Sequence, residues 1–300
     1  MVDPSLNDHR SGFITIIGPP NVGKSTFLNR ILGEKISITS NKPQTTRNRI
    51  LGIYHHPHSQ MIFLDTPGIH KANNLLNARI VEAAIGALED AEVVLLLVDA
   101  SASDHESEQI LIKHLKTLKC PLILAINKID KIEKSHLLKL IDTWQHTQTF
   151  AAVVPISAKY GTQISELIKE LQDNLPFGPP YFPKESLTDM PKRFLAAEMI
   201  REKVFRLTGQ EIPYTIAVSI DQFKEDRASK LVRILATLHV ERNSQKGILI
   251  GKHGSKLHQI GESARKEIQS MVGCRVFLKL FVRVQKNWRK DMKALRKFGY

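Results

Sequence analysis

Residues Gly18 to Thr26, in the order Gly-Pro-Pro-Asn-Val-Gly-Lys-Ser-Thr, have the types and spacing that grip a polyphosphate. Gly18 and Gly23 bracket Pro19, Pro20, Asn21 and Val22; Lys24, Ser25 and Thr26 follow. A polyphosphate needs several backbone N–H groups aimed at its oxygens, and a glycine-bounded turn brings main chain that close. An apolar run at Phe13–Ile17 and helical spacing at Phe27–Leu32 predict strand, loop and helix in that order. The helix then adds the positive end of its dipole. Lys24 can reach the β- and γ-phosphates, and the Ser25 hydroxyl is placed for Mg²⁺. The chemistry predicted is binding of a nucleoside triphosphate.

Later residues choose the base. Asn127-Lys128-Ile129-Asp130 closes the apolar run Leu122–Ile126. A carboxylate at Asp130 can accept from guanine N1–H and N2; adenine would leave it unpaired, and such sites discriminate by about 10⁴–10⁵. Asn127 can tie the base to the phosphate loop, the Lys128 stem can lie over the ring, and Ser157-Ala158-Lys159 stands at the next strand end. Asp65-Thr66-Pro67-Gly68-Ile69 follows another strand. Asp65 has the position of the carboxylate that holds Mg²⁺, and the Gly68 N–H can sense a γ-phosphate. Of two hydroxyls able to complete the metal shell, Thr45 and Thr46, the second is favoured. Ile69 stands where many GTPases carry a water-orienting glutamine; it can neither donate nor accept, which leaves His70 as a neighbouring candidate.

These residues need a scaffold, and the chain of 300 residues supplies one. Apolar runs alternate with amphipathic stretches from residue 13 to about 174, predicting a mostly parallel α/β sheet covered on both faces. Its strand ends would gather on one edge, where such sheets bind ligands. Pro176–Pro183 interrupts the pattern as a linker. Beyond it the expected order is a helix at 193–207, strands at 214–223 and 231–241, two helices around Gly251-Lys252-His253-Gly254, a strand at 275–284 and a basic terminal helix at 286–298. The resulting division is 1–178, a linker at 179–192, and 193–300. The first 190 residues hold 19 Lys/Arg against 20 Asp/Glu, whereas residues 191–300 hold 24 against 10. That imbalance predicts a polyanion partner for the second domain, RNA or anionic lipid. Met1–Arg10 is charged and lacks an apolar leader core, no run approaches the roughly 20 apolar residues of a membrane span, and two isolated cysteines fit a reducing cytoplasm.

Taken together, the phosphate loop, Thr45-Thr46-Arg47, Asp-Thr-Pro-Gly, Asn-Lys-Ile-Asp and Ser-Ala-Lys resemble the translation-factor-related GTPases of the Era/TrmE group. The Gly251–Gly254 loop inside its helix–strand order resembles a KH domain of the bacterial type II kind. A P-loop GTPase domain followed by one KH domain is the pattern of the Era family, and the resemblance covers nearly all of the chain. Pro19 departs from it, since relatives often carry a basic residue there. The resemblance implies GTP/GDP and Mg²⁺ as cofactors and slow hydrolysis. It also implies the 3′ end of 16S ribosomal RNA and the 30S subunit as partners, with peripheral association at the cytoplasmic face of the cell membrane. It further suggests that the Asn21 oxygen helps hold a potassium ion beside the phosphates; a turn residue is the other reading. Lys24, Thr46, Gly68 and Asn21 would then carry catalysis. For RNA, Gly251, Lys252, His253 and Gly254 would meet phosphates. Ile248, Ile250 and Ile260 would either floor a base groove or belong to the core. A monomer is expected.

Overall fold

The computed structural model describes residues 8–71, 75–209, 211–226 and 228–300. The charged start at 1–7 and Arg227 in the charged turn lie outside them. Two compact units divide the chain near Asp189, with Ile38–Thr45 and the residues around Leu75 counting with the second.

In the first unit, β1 (Arg10–Ile17), α1 (Lys24–Leu32), β2 (Ile50–His56), β3 (Ser59–Asp65), α2 (Leu75–Gly86), β4 (Val93–Asp99), α3 (His105–Leu115), β5 (Leu122–Asn127), α4 (Lys134–Gln145), β6 (Ala152–Pro155) and α5 (Ile164–Asp173) follow in order. The sheet runs β2-β3-β1-β4-β5-β6. Only β2 is antiparallel, paired to β3 by a hairpin. Val93 to Val98 is buried residue after residue, because a strand covered on both faces has no solvent side on which to alternate. The five parallel strands deliver Gly18, Asp65, Asp99, Asn127 and Ser157 to one edge of the sheet.

The proline-rich stretch expected as a linker is a strap. The Ile53 N–H on edge strand β2 donates to the Leu187 carbonyl at 2.8 Å, and the Thr188 hydroxyl donates to the Leu51 carbonyl at 2.5 Å. The buried Gln60 amide holds the strap's other end, accepting from Tyr181 and Phe182 N–H and donating to the Phe182 carbonyl. An open edge offers unpaired N–H and C=O groups to any passing strand; here residues 181–188 take them.

The second unit contains α6 (Lys192–Leu207), α7 (Ile212–Thr215), β7 (Ala217–Asp226), β8 (Leu231–Val240), α8 (Asn243–Ile250), α9 (Ser255–Val272), β9 (Arg275–Val284) and α10 (Met292–Lys297). β8 is central, antiparallel to β7 and parallel to β9. Its inward residues Val232, Ile234, Ala236, Leu238 and Val240 pack with Met199, Ile200 and Phe205 of α6 and Ile260, Ala264 and Ile268 of α9. Two expectations need correction. The first strand begins at Ala217, three residues late, because Pro213 fits the first turn of a short helix. The terminal helix over 286–298 is instead a 3₁₀ turn at Trp288–Lys290 and the six-residue α10. Asn287 in a left-handed conformation and extended Asp291 break it, and the Asp291 carboxylate caps α10. Trp288 is fully buried, with its indole N–H on the Thr215 carbonyl.

Candidate functional site

The phosphate loop lies where β1 turns into α1. Lys24, at its end, is buried and donates from Nζ to the Gly18 and Pro19 carbonyls at 2.9 and 2.8 Å. Burial brings its ammonium down to about 8, opposed by the nearby Asp65 charge. These carbonyls hold the cation in the loop's mouth, where phosphate oxygens are its natural exchange partners. Pro19, Pro20, Asn21 and Val22 form the turn itself, with Asn21 left-handed at φ 63°, and Thr26 continues into α1 beside Ser25.

Asp65 ends β3 inside the protein. Its Oδ2 accepts from the Ser25 and Ser37 hydroxyls at 2.7 Å each, and Ser25 Oγ lies 2.9 Å from Thr46 Oγ1. Burial pushes the Asp65 carboxyl up, against the two hydroxyl hydrogen bonds and the Lys24 charge. Its Oδ1 is buried with no hydrogen-bond partner. One carboxylate with an unsatisfied oxygen and two converging hydroxyls fits Mg²⁺, which takes few protein ligands and completes its shell with phosphate and water. No group of three His, Cys, Asp or Glu among the described residues forms a protein-only metal cage. The two threonines differ in their partners: Thr46 meets Ser25, while the Thr45 hydroxyl donates to the Lys42 carbonyl.

After Asp65, the Thr66 hydroxyl bonds the Ile16 carbonyl at 2.7 Å and fixes this segment to β1. Pro67 leads to Gly68, whose α-carbon lies so near Pro20 that an added Cβ would stand 2.7 Å from its backbone. The Gly68 peptide therefore flanks the phosphate loop. Ile69 is fully buried with Ile17, Ala84 and Leu88, so its side chain serves the core and does not face the phosphates. The His70 ring donates from Nδ1 to the Gly68 carbonyl at 2.8 Å.

The base end is built by register. Asn127 donates to the Val22 carbonyl and accepts from the Ala158 N–H, joining phosphate loop and base loop through one amide. Lys128 bonds the Asn21 carbonyl at 2.7 Å and Asp99 Oδ2 at 2.5 Å. Asp130 is exposed, and its Oδ1 accepts from Ser157 Oγ at 2.5 Å. Lys159 is exposed, its ammonium 4.8 Å from the Tyr160 ring centroid. Asp99 and Ser37 were missed in the sequence. Asp99 pairs in register with Asn127, so its position at a strand end was its only signal.

In the second unit, Gly251 to Gly254 separates α8 from α9, with Lys252 and His253 exposed. Beside it runs a groove of about 570 Å³ between α9 (Leu257, His258, Gly261, Arg265) and β9 (Leu278, Lys279, Leu280). Ile260, for which groove floor and core were both open readings, is fully buried in the core. Leu257, one turn earlier, and the next residue, Gly261, do line the groove. Ile248 is half exposed and Ile250 is partly buried; neither lines the groove.

A glycine-bounded phosphate loop, a metal-ready carboxylate and hydroxyl pair, a guanine-type carboxylate and a helix–loop–helix beside a three-stranded sheet define a P-loop GTPase carrying a KH domain. Residues 13–128 match the family described as 50S ribosome-binding GTPase, and residues 211–289 match the KH domain. The chain is 52% identical to GTPase Era of Geobacter metallireducens, covering 99% of each chain. It is 51% identical to GTPase Era of Geotalea uraniireducens, covering 97% of this chain and 98% of that one. A crystal structure of Era with MgGDPNP and nucleotides 1506–1542 of 16S ribosomal RNA superposes with a TM-score of 0.94, 42% identity, and 97% and 99% coverage. Aquifex aeolicus Era bound to GDP·AlF₄⁻ gives 0.93 at the same identity and coverage. The chain belongs to the Era family, and it is a GTPase that uses GTP, GDP and Mg²⁺.

Proposed function

We propose that this chain is a GTP-driven switch that binds the 3′ end of 16S ribosomal RNA and assists maturation of the 30S subunit. The RNA seen on its 42% identical relative supports the partner. The observation that carries the switch is the convergence of Lys24, Ser25, Thr46 and Asp65 at the phosphate loop, beside the Gly68 peptide. Lys24 neutralises the β- and γ-phosphates; Ser25, Thr46 and Asp65 hold Mg²⁺, which withdraws charge from the same oxygens. With Ile69 in the core, water is oriented without a glutamine; the Asn21 oxygen would help hold a potassium ion, which would supply positive charge at the phosphates. Asp130, set by Ser157, reads guanine. Gly251–Gly254, Lys252 and His253 take RNA phosphates at the start of α9, with about four nucleotides in the adjoining groove.

Association with the cytoplasmic face of the membrane is electrostatic in this reading. Arg289, Lys290, Lys293, Arg296 and Lys297 give the C-terminal residues charge, while Trp288, Ala294 and Leu295 are buried and offer no apolar face for insertion. Sedimentation with anionic vesicles should show binding that disappears at high salt. The protein works as a monomer, which light scattering at working concentration checks.

The test of the whole reading is a pair of measurements on the full chain. Asp130→Asn should weaken GTP binding and improve XTP binding, because the amide can donate to xanthine's extra carbonyl. Crosslinking in cells should return the 3′ end of 16S RNA. GTP affinity unchanged in Asp130→Asn would remove Asp130 from the base site, and crosslinks to other RNA would overturn the partner.

A further inference from the structure

Among the described residues, the sheet of the second unit has an uncovered face. Along β9 the inward residues Val276, Leu278, Leu280 and Val282 pack against the core. The outward ones, Arg275, Phe277, Lys279, Phe281 and Arg283, are all exposed. Phe277 and Phe281 keep 49% and 43% of their surface in solvent. The inward set already supplies the packing, so nothing in the fold calls for aromatic rings here. Register adds further cations on the same face: Arg233 lies opposite Phe277, and Lys224 opposite Arg233. The Lys279 ammonium is 5.3 Å from the Phe281 ring centroid. Two carboxylates share the β7 side. Asp221 is engaged by the Ser219 and Thr237 hydroxyls, and Asp226 by the Ala228 and Ser229 N–H groups. Phe298 packs tilted against His239 and closes one end of the face, leaving Arg233 to Phe281 open.

Exposed rings set among cations are what a single nucleic-acid strand uses, since every base has a stackable face and every nucleotide a phosphate. Four residues apart, the two rings stand about 13 Å from each other along the strand, so each takes its own base. The face is also continuous with the groove beside Gly254, because Leu278, Lys279 and Leu280 of the same edge strand line that groove. A strand leaving the groove has only to turn over the β9 edge.

We propose that the open face of β7-β8-β9 is a second platform for single-stranded RNA. Phe277 and Phe281 stack bases there, and Lys224, Arg233 and Arg275 hold phosphates. This extends the RNA reading of the Gly251–Gly254 loop and rests on it.

The test uses the full chain, fluorescence anisotropy and two RNAs: a four-nucleotide oligomer that fills the groove alone, and one of about twelve nucleotides ending as 16S RNA does. Phe277→Ala/Phe281→Ala should weaken the long oligomer about tenfold or more and leave the short one unchanged, with an unaltered melting temperature. Arg233→Gln should reduce the salt dependence of the long oligomer only. Equal binding of the long oligomer by wild type and the double phenylalanine variant overturns the platform while leaving the groove intact. Equal losses on both lengths also overturn it, by assigning the rings to the groove. Wild-type protein that binds neither oligomer overturns the groove reading together with the platform.

Discussion

Each unit carries a glycine-bracketed loop ahead of a helix, and the two loops are glycine for different reasons. At Gly23, with φ 104°, an added Cβ would overlap the Asn127 amide. At Gly254, with φ 79°, an added Cβ would meet nothing within 4 Å. The lysines divide the same way: Lys24 is 6% exposed and held by two carbonyls, whereas Lys252 stands in solvent. The first loop is crowded by its own protein, so its geometry is settled before the ligand arrives. The second is crowded only where it begins, since a Cβ at Gly251 would stand 2.7 Å from that of Lys256, and its far end at Gly254 is left clear for a ligand that brings its own bulk. Preorganisation and clearance are two ways to reach phosphate, and they fail differently.

The sharpest way to break this comparison is Gly23→Ala. Its methyl displaces the Asn127 amide, which joins Val22 to Ala158, and strains a left-handed backbone. We expect a stability loss of about 2–3 kcal/mol and a fall in GTP affinity of about a hundredfold or more, read by thermal melting and calorimetry. Gly254→Asp should do the reverse. RNA affinity drops about tenfold, GTP turnover stays at the wild-type rate, and stability falls by about 1–2 kcal/mol, the cost of a side chain in the left-handed region. A Gly254→Asp protein that unfolds, or a Gly23→Ala protein that binds GTP normally, would dissolve the distinction.

A pH series sharpens it further. The folded pKa of Lys24, about 8, lies below its ordinary 10.5, so in the free protein the charged form opposes folding below pH 8. That opposition is relieved as pH rises from 8 towards 10.5. GTP prefers the charged form, so its affinity should fall above pH 8, by at most about tenfold per unit, with proton uptake on binding. Calorimetry in buffers of different ionisation enthalpy measures both, and a Lys24→Gln protein should show neither. The smallest effect expected is the cation dependence. At matched ionic strength, turnover should be a few-fold faster in K⁺ than in Na⁺, and Asn21→Ala should erase the difference. A wild-type rate indifferent to the cation would return Asn21 to the role of a turn residue.

Much of the nucleotide site was legible because its ligand imposes contiguity: a polyphosphate is gripped by successive main-chain groups, and a base by one short strand end. Gly18–Thr26, Asp65–Gly68 and Asn127–Asp130 could therefore be read off the chain. Asp99 and Ser37 could not, since they reach Lys128 and Asp65 through sheet register and a loop. At Ile260 the sequence left groove floor and core both open, for a related reason, and the structure puts it in the core. Leu257, Ile260, Ala264 and Ile268 form one apolar stripe in sequence, yet α9 turns Ile260 wholly inward and leaves Leu257 at the margin. Periodicity gives a helix its apolar side without saying where that side ends. The terminal helix failed on two residues, Asn287 and Asp291, whose backbone conformations override a run of good helix formers.

The strap along β2 bears on how the chain is made. Residues 181–188 are synthesised after every strand of the first unit, so a nascent chain that stops at Gly178 has its whole sheet but an open edge. Until Leu187 and Thr188 arrive, the Ile53 N–H and Leu51 carbonyl are a template for any extended neighbour, including another copy emerging nearby. A GTPase fragment cut after Gly178 should thus associate or precipitate where one cut after Asp189 stays dispersed. The sheet is finished by a segment that contributes no strand to it.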